Sequence, residues 1–187
     1  MWGRPVHPRF WHADGDFMVQ VENTDYKLHR HLFNRAKNFA PLMWGIQSNP
    51  YRLTETKVDF DRLLSILYPA DYSEQELKTA DEWSSVLLLA DKWQIPDIRR
   101  LAIKELAACA GPVDKIALGH RYDIPEWLGP AYLALAMRKE PVTSAEGTKM
   151  GIAAMVRIAA IKDEVLANLT EYVDLEKFCD LFSKVVL

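Results

Sequence analysis

The chain has 187 residues, 49% hydrophobic and 26% charged, with a formal net charge of −3. A chain of this size can bury about two-thirds of its unfolded surface without disulfides or a structural metal. Its two cysteines, Cys109 and Cys179, exclude a disulfide framework or a cysteine-ligated zinc site and read as core thiols in a reducing compartment. Basic residues are dispersed, with Arg99-Arg100 the longest run, so no phosphate-tracking stripe for nucleic acid is present. The longest apolar stretch, Ala131 to Met137, falls far short of the ~20 residues of a bilayer span, and residues 1–16 hold no apolar signal core. These features point to an intracellular protein, cytoplasmic or nuclear, without membrane insertion. The sequon Asn168-Leu169-Thr170 matters only in a secreted chain and is discounted.

Residues 1–15 are rich in Pro, His, Trp and Gly without a usable period and read as an irregular N-terminal arm. A β-hairpin follows: Phe17, Val19 and Val21 alternate with Met18 and Gln20, the turn is Glu22-Asn23-Thr24-Asp25, and Tyr26 and Leu28 resume the alternation. A short helix is expected over about His29 to Asn38, and Tyr51 and Leu53 mark a third strand after Pro50.

Helical spacing dominates thereafter. Phe60, Leu63, Leu64 and Leu67 line one face of a helix that Pro69 ends. Two capping boxes, Ser73 with Glu76 and Thr79 with Glu82, mark helix starts, since each pair can satisfy orphan amides of a first turn. Trp83, Val86, Leu87, Ala90 and Trp93 form the next stripe, and Pro96-Asp97 opens a helix carrying Ile98, Leu101, Ala102 and Leu106. After Gly111-Pro112, Val113, Ile116, Ala117 and His120 share a face, and Pro125 opens a helix with Leu128, Tyr132 and Leu135. Pro141 interrupts, Thr143 with Glu146 forms a third box, and Ile152, Met155, Val156 and Ala159 make the expected buried face of the following helix. A final amphipathic helix is expected from Asp174, with Leu175, Phe178, Cys179, Phe182 and Val186 on one side. Gly147 and Gly151 suit close helix packing, and no internal repeat is evident. A strand cluster followed by helices is an α+β pattern, unlike alternating βαβ units.

Chemical signals are sparse. His29 and His31 stand at i and i+2 with Asp14 and Asp16 upstream, but no second ligand cluster accompanies them, so no metal and no cofactor is expected. Those four residues define the alternative function, a small metal-dependent or acid/base hydrolase, which requires them to converge in one cleft. Nucleophile-elbow, P-loop and dinucleotide signatures are absent. Trp83 and Trp93 lie on an apolar face and read as core, whereas an exposed member of Trp2, Trp11, Trp44 and Trp127 would be a contact candidate.

The order of elements, with Asp16 ahead of Phe17-Met-Val-Gln-Val21 and His29 closing Tyr26-Lys-Leu-His29, resembles a BTB/POZ domain, and Phe39-Ala-Pro-Leu-Met43 fits the same pattern. Asp14-Gly-Asp16, Val21-Glu-Asn-Thr24, Phe60-Asp-Arg-Leu-Leu64, Leu67-Tyr-Pro69, Glu82-Trp-Ser-Ser-Val-Leu87, Ile98-Arg-Arg-Leu-Ala-Ile103, Pro112-Val-Asp-Lys-Ile116 and Tyr122-Asp-Ile-Pro-Glu-Trp127 are similar to runs in the expanded BTB family of mushroom-type fungi. The family's Ser-Pro ahead of Phe39 is Ala36-Lys37 here. The resemblance spans roughly residues 10–165. It implies a BTB/POZ-like domain over 16–108 with a helical extension over 109–187. It implies a non-enzymatic protein-interaction module that homodimerises or acts as an adaptor, with a cullin-type ubiquitin ligase scaffold or a transcriptional regulator among its partner classes. Asp16 and Arg30 match the family's charged groove, and the expected contact residues are Trp11, Asp16, Phe17, His29, Arg30 and Phe33.

Overall fold

The computed structural model describes residues 4–39 and 50–168. Its fold mixes α and β: among the described residues, four strands form one sheet and seven α-helices accompany them. The chain divides into two units between Cys109 and Ala110.

In the first unit the strands are β1 (Val6–Trp11), β2 (Phe17–Val21), β3 (Thr24–Leu28) and β4 (Tyr51–Leu53), in the order β1-β3-β2-β4. The expected hairpin is β2 and β3, antiparallel, with Phe17 opposite Leu28, Val19 opposite Tyr26 and Val21 opposite Thr24. Thr24 and Asp25 already belong to β3, so the turn is shorter than the four residues expected. Glu22 turns the chain in the left-handed region, at φ 51°, and its Oε1 accepts the Lys57 amide at 3.0 Å, which ties the turn to the start of the first helix. Strand β4 runs parallel to β2, as the third strand read around Tyr51 and Leu53.

The arm over residues 1–15 is corrected: it carries β1, parallel to β3, with Val6 opposite Asp25 and Trp11 opposite Lys27. The register shifts between those pairs, so His7 and Phe10 face inward three residues apart and no alternation of two develops. The helix expected over His29 to Asn38 is also corrected. Only Arg30–Phe33 is helical, a 3₁₀ turn, and the bonds His29 O to Leu32 N, Phe33 O to Ala36 N and Ala36 O to Phe39 N all close after three residues. That spacing puts Phe33, Ala36 and Phe39 on one buried side.

Three helices complete this unit: α1 (Lys57–Leu67), α2 (Ala80–Lys92) and α3 (Pro96–Cys109). Thr56 caps α1 by accepting the Asp59 amide, and the helix ends at Tyr68 before Pro69. Thr79 and Glu82 form the reciprocal box that starts α2. Ser73 and Glu76 start no helix, because the Glu76 carboxylate is taken by Arg9 at 2.6 Å and by the Ala70 amide at 2.9 Å. The core joins Phe17, Phe33, Phe39, Phe60, Trp83 and Trp93, with the Phe39 and Trp93 rings 4.5 Å apart. Cys109, expected in the core, is exposed at the end of α3.

The second unit contains α4 (Pro112–Arg121), α5 (Pro125–Ala136), α6 (Ser144–Met150) and α7 (Ile152–Asn168). Thr143 and Glu146 make the expected box on α6, and Arg138 grips the Glu146 carboxylate with two bonds of 2.8 Å, which with the Thr143 amide pushes that carboxyl down to about 2. Of the glycine pair, Gly147 fits the packing expectation, since a Cβ there would strike the Met155 sulfur, whereas Gly151 turns the chain at φ 89°. The face of α7 is corrected: Ala154, Ile158 and Ile161 are buried, whereas Ile152 and Val156 are 80% and 63% exposed. Apolar residues lie on both sides of this helix, so a period of 3.6 fits two stripes equally well. The helix expected from Asp174 lies outside the described residues.

Two helix joints are built alike, one within each unit. Trp93-Gln94-Ile95-Pro96 and Tyr122-Asp123-Ile124-Pro125 each end one helix and begin the next. Gln94 and Asp123 both sit at φ 52°, and the amides of Ile95 and Ile124 donate to the carbonyls of Ala90 and Gly119 at 2.8 and 2.9 Å. This is a Schellman ending whose left-handed position ordinarily holds glycine. Gln94→Gly is therefore expected to raise stability by about 1 kcal/mol, and Gln94→Val to lower it. Denaturant unfolding of the two variants beside the parent chain checks both signs.

Candidate functional site

The residues singled out by sequence fall at one end of the sheet, where residues 11–16 cross the end of β3. Three main-chain bonds of 3.0 Å fix this segment: His12 N to Lys27 O, Gly15 N to His12 O, and Asp16 N to Leu28 O. The Lys27 ammonium adds a bond to the Ala13 carbonyl at 2.6 Å. Gly15 is required by close approach, since a Cβ there would stand 2.9 Å from the Leu28 carbonyl oxygen, a backbone atom with little room to move. Trp11, at the end of β1, is 37% exposed, whereas Trp83, Trp93 and Trp127 are buried.

Asp16 is exposed, and its carboxylate accepts the Arg30 amide at 2.9 Å, so it caps the 3₁₀ turn. The Arg30 side chain returns over the site: its Nε donates to the Asp16 carbonyl at 3.4 Å, and its guanidinium lies 5.5 Å from the Phe17 ring centre. Phe17 and Phe33, expected as contact residues, are instead core side chains, 4% and 0% exposed, because the inward face of β2 and the three-residue period of the turn both point them at Phe39.

His29 sits between two oxygens. Its Nε2 is 3.3 Å from Asp14 Oδ1, its Nδ1 is 3.1 Å from the Tyr68 hydroxyl, and its main-chain amide donates to that hydroxyl at 2.9 Å. His12 stacks on Tyr68 at 4.5 Å, with its ring centre 5.2 Å from that of His29. Burial holds His12 below the ordinary imidazole value, and the neighbouring His29 adds to that. Burial also pushes the Tyr68 phenol up, while the Asp14 carboxyl is pushed down by a main-chain hydrogen bond and by His29.

Of the residues named for hydrolysis, Asp14 and His29 meet. Asp16 is engaged at the Arg30 amide, and His31 is exposed with its ring centre 5.8 Å from that of His29. Among the described residues, no group of three or more His, Cys, Asp or Glu side chains is placed to hold a metal ion. Sequence reasoning missed His12 and Tyr68. His12 belongs to no motif, and the run Leu67-Tyr-Pro69 gives no hint of a role for Tyr68, which lies 39 residues from the histidine it holds. No protein-family model matches the chain, and no curated protein matches it.

Tyr68→Phe removes the hydroxyl that receives the His29 amide and faces its ring, leaving half-buried polar atoms without that partner. The expected loss is about 1–3 kcal/mol of stability. Thermal or denaturant unfolding checks it, and a variant as stable as the parent would show the hydroxyl to be dispensable.

Proposed function

We propose that this chain is a non-enzymatic protein-interaction module of the BTB/POZ type, working as a homodimer or as an adaptor that recruits a partner protein. The observation that carries this reading is the end of the sheet where the exposed Trp11 closes β1 and the segment that follows, bonded to the main chain of β3, leads to Asp16 and its bond with the Arg30 amide. Tryptophan and arginine are the side chains most enriched where binding energy concentrates. A hairpin and a short sheet followed by helices is also what the BTB resemblance leads one to expect. In that resemblance Asp16 and Arg30 mark a charged groove, and here Asp16 binds the Arg30 main chain while the arginine side chain extends along the same edge. A cullin-type scaffold and a transcriptional regulator are the partner classes it suggests.

In a symmetric dimer the same patch is used by both copies, so each substitution acts twice. Sedimentation across a concentration series is expected to give a mass near twice 21.5 kDa. Trp11→Ala and Arg30→Glu should each weaken association at least tenfold, on the order of 2 kcal/mol for a hot-spot residue. A strict monomer at every concentration overturns the homodimer, and a dimer indifferent to both substitutions moves the interface away from this surface.

A further inference from the structure

His7 lies within β1, is 7% exposed, and has its ring stacked between Phe10 and Tyr26, each at a centroid distance of 4.8 Å. Its Nδ1 accepts the main-chain amides of Arg9 at 3.2 Å and Phe10 at 2.9 Å. An imidazole nitrogen that accepts two N–H groups carries no proton, so the ring is neutral with its hydrogen on Nε2. That nitrogen stands 3.3 Å from Asp61 Oδ2 on α1. These contacts fall inside the interval where the β1 and β3 register shifts, so the ring fastens the part of the strand that its ladder holds least regularly.

We propose that His7 is a pH-sensitive latch: its neutral ring holds β1 against the sheet, and a proton arriving at Nδ1 releases the strand. That proton would take the one lone pair serving both the Arg9 and Phe10 amides, so two main-chain bonds fail together. The charged and titratable groups facing the ring are Asp61 and Lys57 on α1, Arg9 on β1 and the Tyr26 phenol on β3. Asp61 attracts a charged ring, but the same Oδ2 already receives the Lys57 ammonium, and its Oδ1 receives the Tyr26 hydroxyl at 2.7 Å. Burial is the largest influence and lowers the imidazole below its ordinary 6.5, with Lys57 and Arg9 acting in the same direction. The folded-state value therefore lies under the unfolded one. The anchoring is complete above the unfolded value and is lost as pH falls through the folded value. Because β1 carries Trp11, release would also dismantle the proposed contact surface, a consequence that rests on the functional reading above; the latch does not.

Hydrogen exchange on the whole chain at about pH 7.5 and about pH 5, corrected for intrinsic exchange, tests this across the range where histidine charges. Amides of β1 are expected to lose protection at the lower pH while those of α2 keep theirs. In His7→Asn the carboxamide oxygen can accept where Nδ1 did and does not titrate, so the loss should disappear. His12→Gln, at the neighbouring histidine, should retain it. Unchanged protection of β1 in the parent chain, or an equal loss in His7→Asn, overturns the latch. If that variant does not fold, the ring nitrogen signals of His7 decide. Conversion to imidazolium over the same pH range as the loss supports the latch, and conversion without loss overturns it. Sedimentation at the same two pH values separates the two ideas: β1 opening with unchanged mass keeps the latch and removes Trp11 from the interface.

Discussion

Three elements of the first unit converge on one carboxylate. Asp61, on the sheet-facing side of α1, receives the Tyr26 hydroxyl from β3, the Lys57 ammonium from its own helix one turn earlier, and Nε2 of His7 from β1. Tyr26 is fully buried, and burial together with this carboxylate keeps its phenol protonated far above the usual range. A buried hydroxyl without a partner costs about 1–3 kcal/mol, so the position of α1 against the hairpin is set by chemistry as well as by the contact of Tyr26 with Phe60. Edge strand β1 then joins through the same group. Its ladder is irregular, and what anchors it laterally is a stacked imidazole, the Arg9 contact with Glu76, and the bonds at its two ends, where Asp25 N meets Pro5 O and His12 N meets Lys27 O.

The helices follow a different rule, in which termini carry the information. Thr56, Thr79 and Thr143 each accept an amide of their first turn, and Pro96, Pro112 and Pro125 occupy first-turn positions where no N–H is required. Gln94 and Asp123 hold left-handed positions against their steric preference, and the buried isoleucines that follow, Ile95 and Ile124, supply compensating contact. The two joints share the pattern of an aromatic cap, a left-handed residue, isoleucine and proline. It escaped the reading of the sequence as a repeat because only isoleucine and proline are identical between them.

These differences explain which features could be read from the chain alone. The hairpin was legible because one face of β2 and β3 is buried and the side-chain period is two, and the boxes at Thr79 and Thr143 because both partners lie within four residues. Strand β1 was not, since its inward residues are three apart. The Ser73 and Glu76 pair has the right spacing for a cap, yet Arg9, distant in sequence, takes the glutamate. Stripe assignment on α7 failed for want of contrast, as alanine and isoleucine lie on both sides. At the candidate site, Asp16, His29 and Arg30 were named by likeness to a family pattern and do come together. Phe17 and Phe33 were named in the same way but belong to the core, because an aromatic residue in a pattern says nothing about which face it takes. The polar roles of His7, His12, Tyr26, Asp61 and Tyr68 were not legible, even where Tyr26, Asp61 and Tyr68 fell within recognised runs, since each finds its key partner across strands and helices.

The edge that carries Trp11 gains its definition from the main chain. The segment 12–16 lies so close to β3 that only glycine fits at position 15, and this closeness lets Asp16 receive the Arg30 amide while its own amide reaches Leu28. Arg30 is in turn held along its length, by the Asp16 carbonyl at Nε and by the Phe17 face beneath the guanidinium. A long side chain fixed in this way has already lost much of the rotamer freedom that association would otherwise cost, about 0.5–1.5 kcal/mol for such a residue. The aromatic core therefore acts on the surface indirectly. By burying one face of Phe17, it leaves the other as a platform on which Arg30 is pre-positioned.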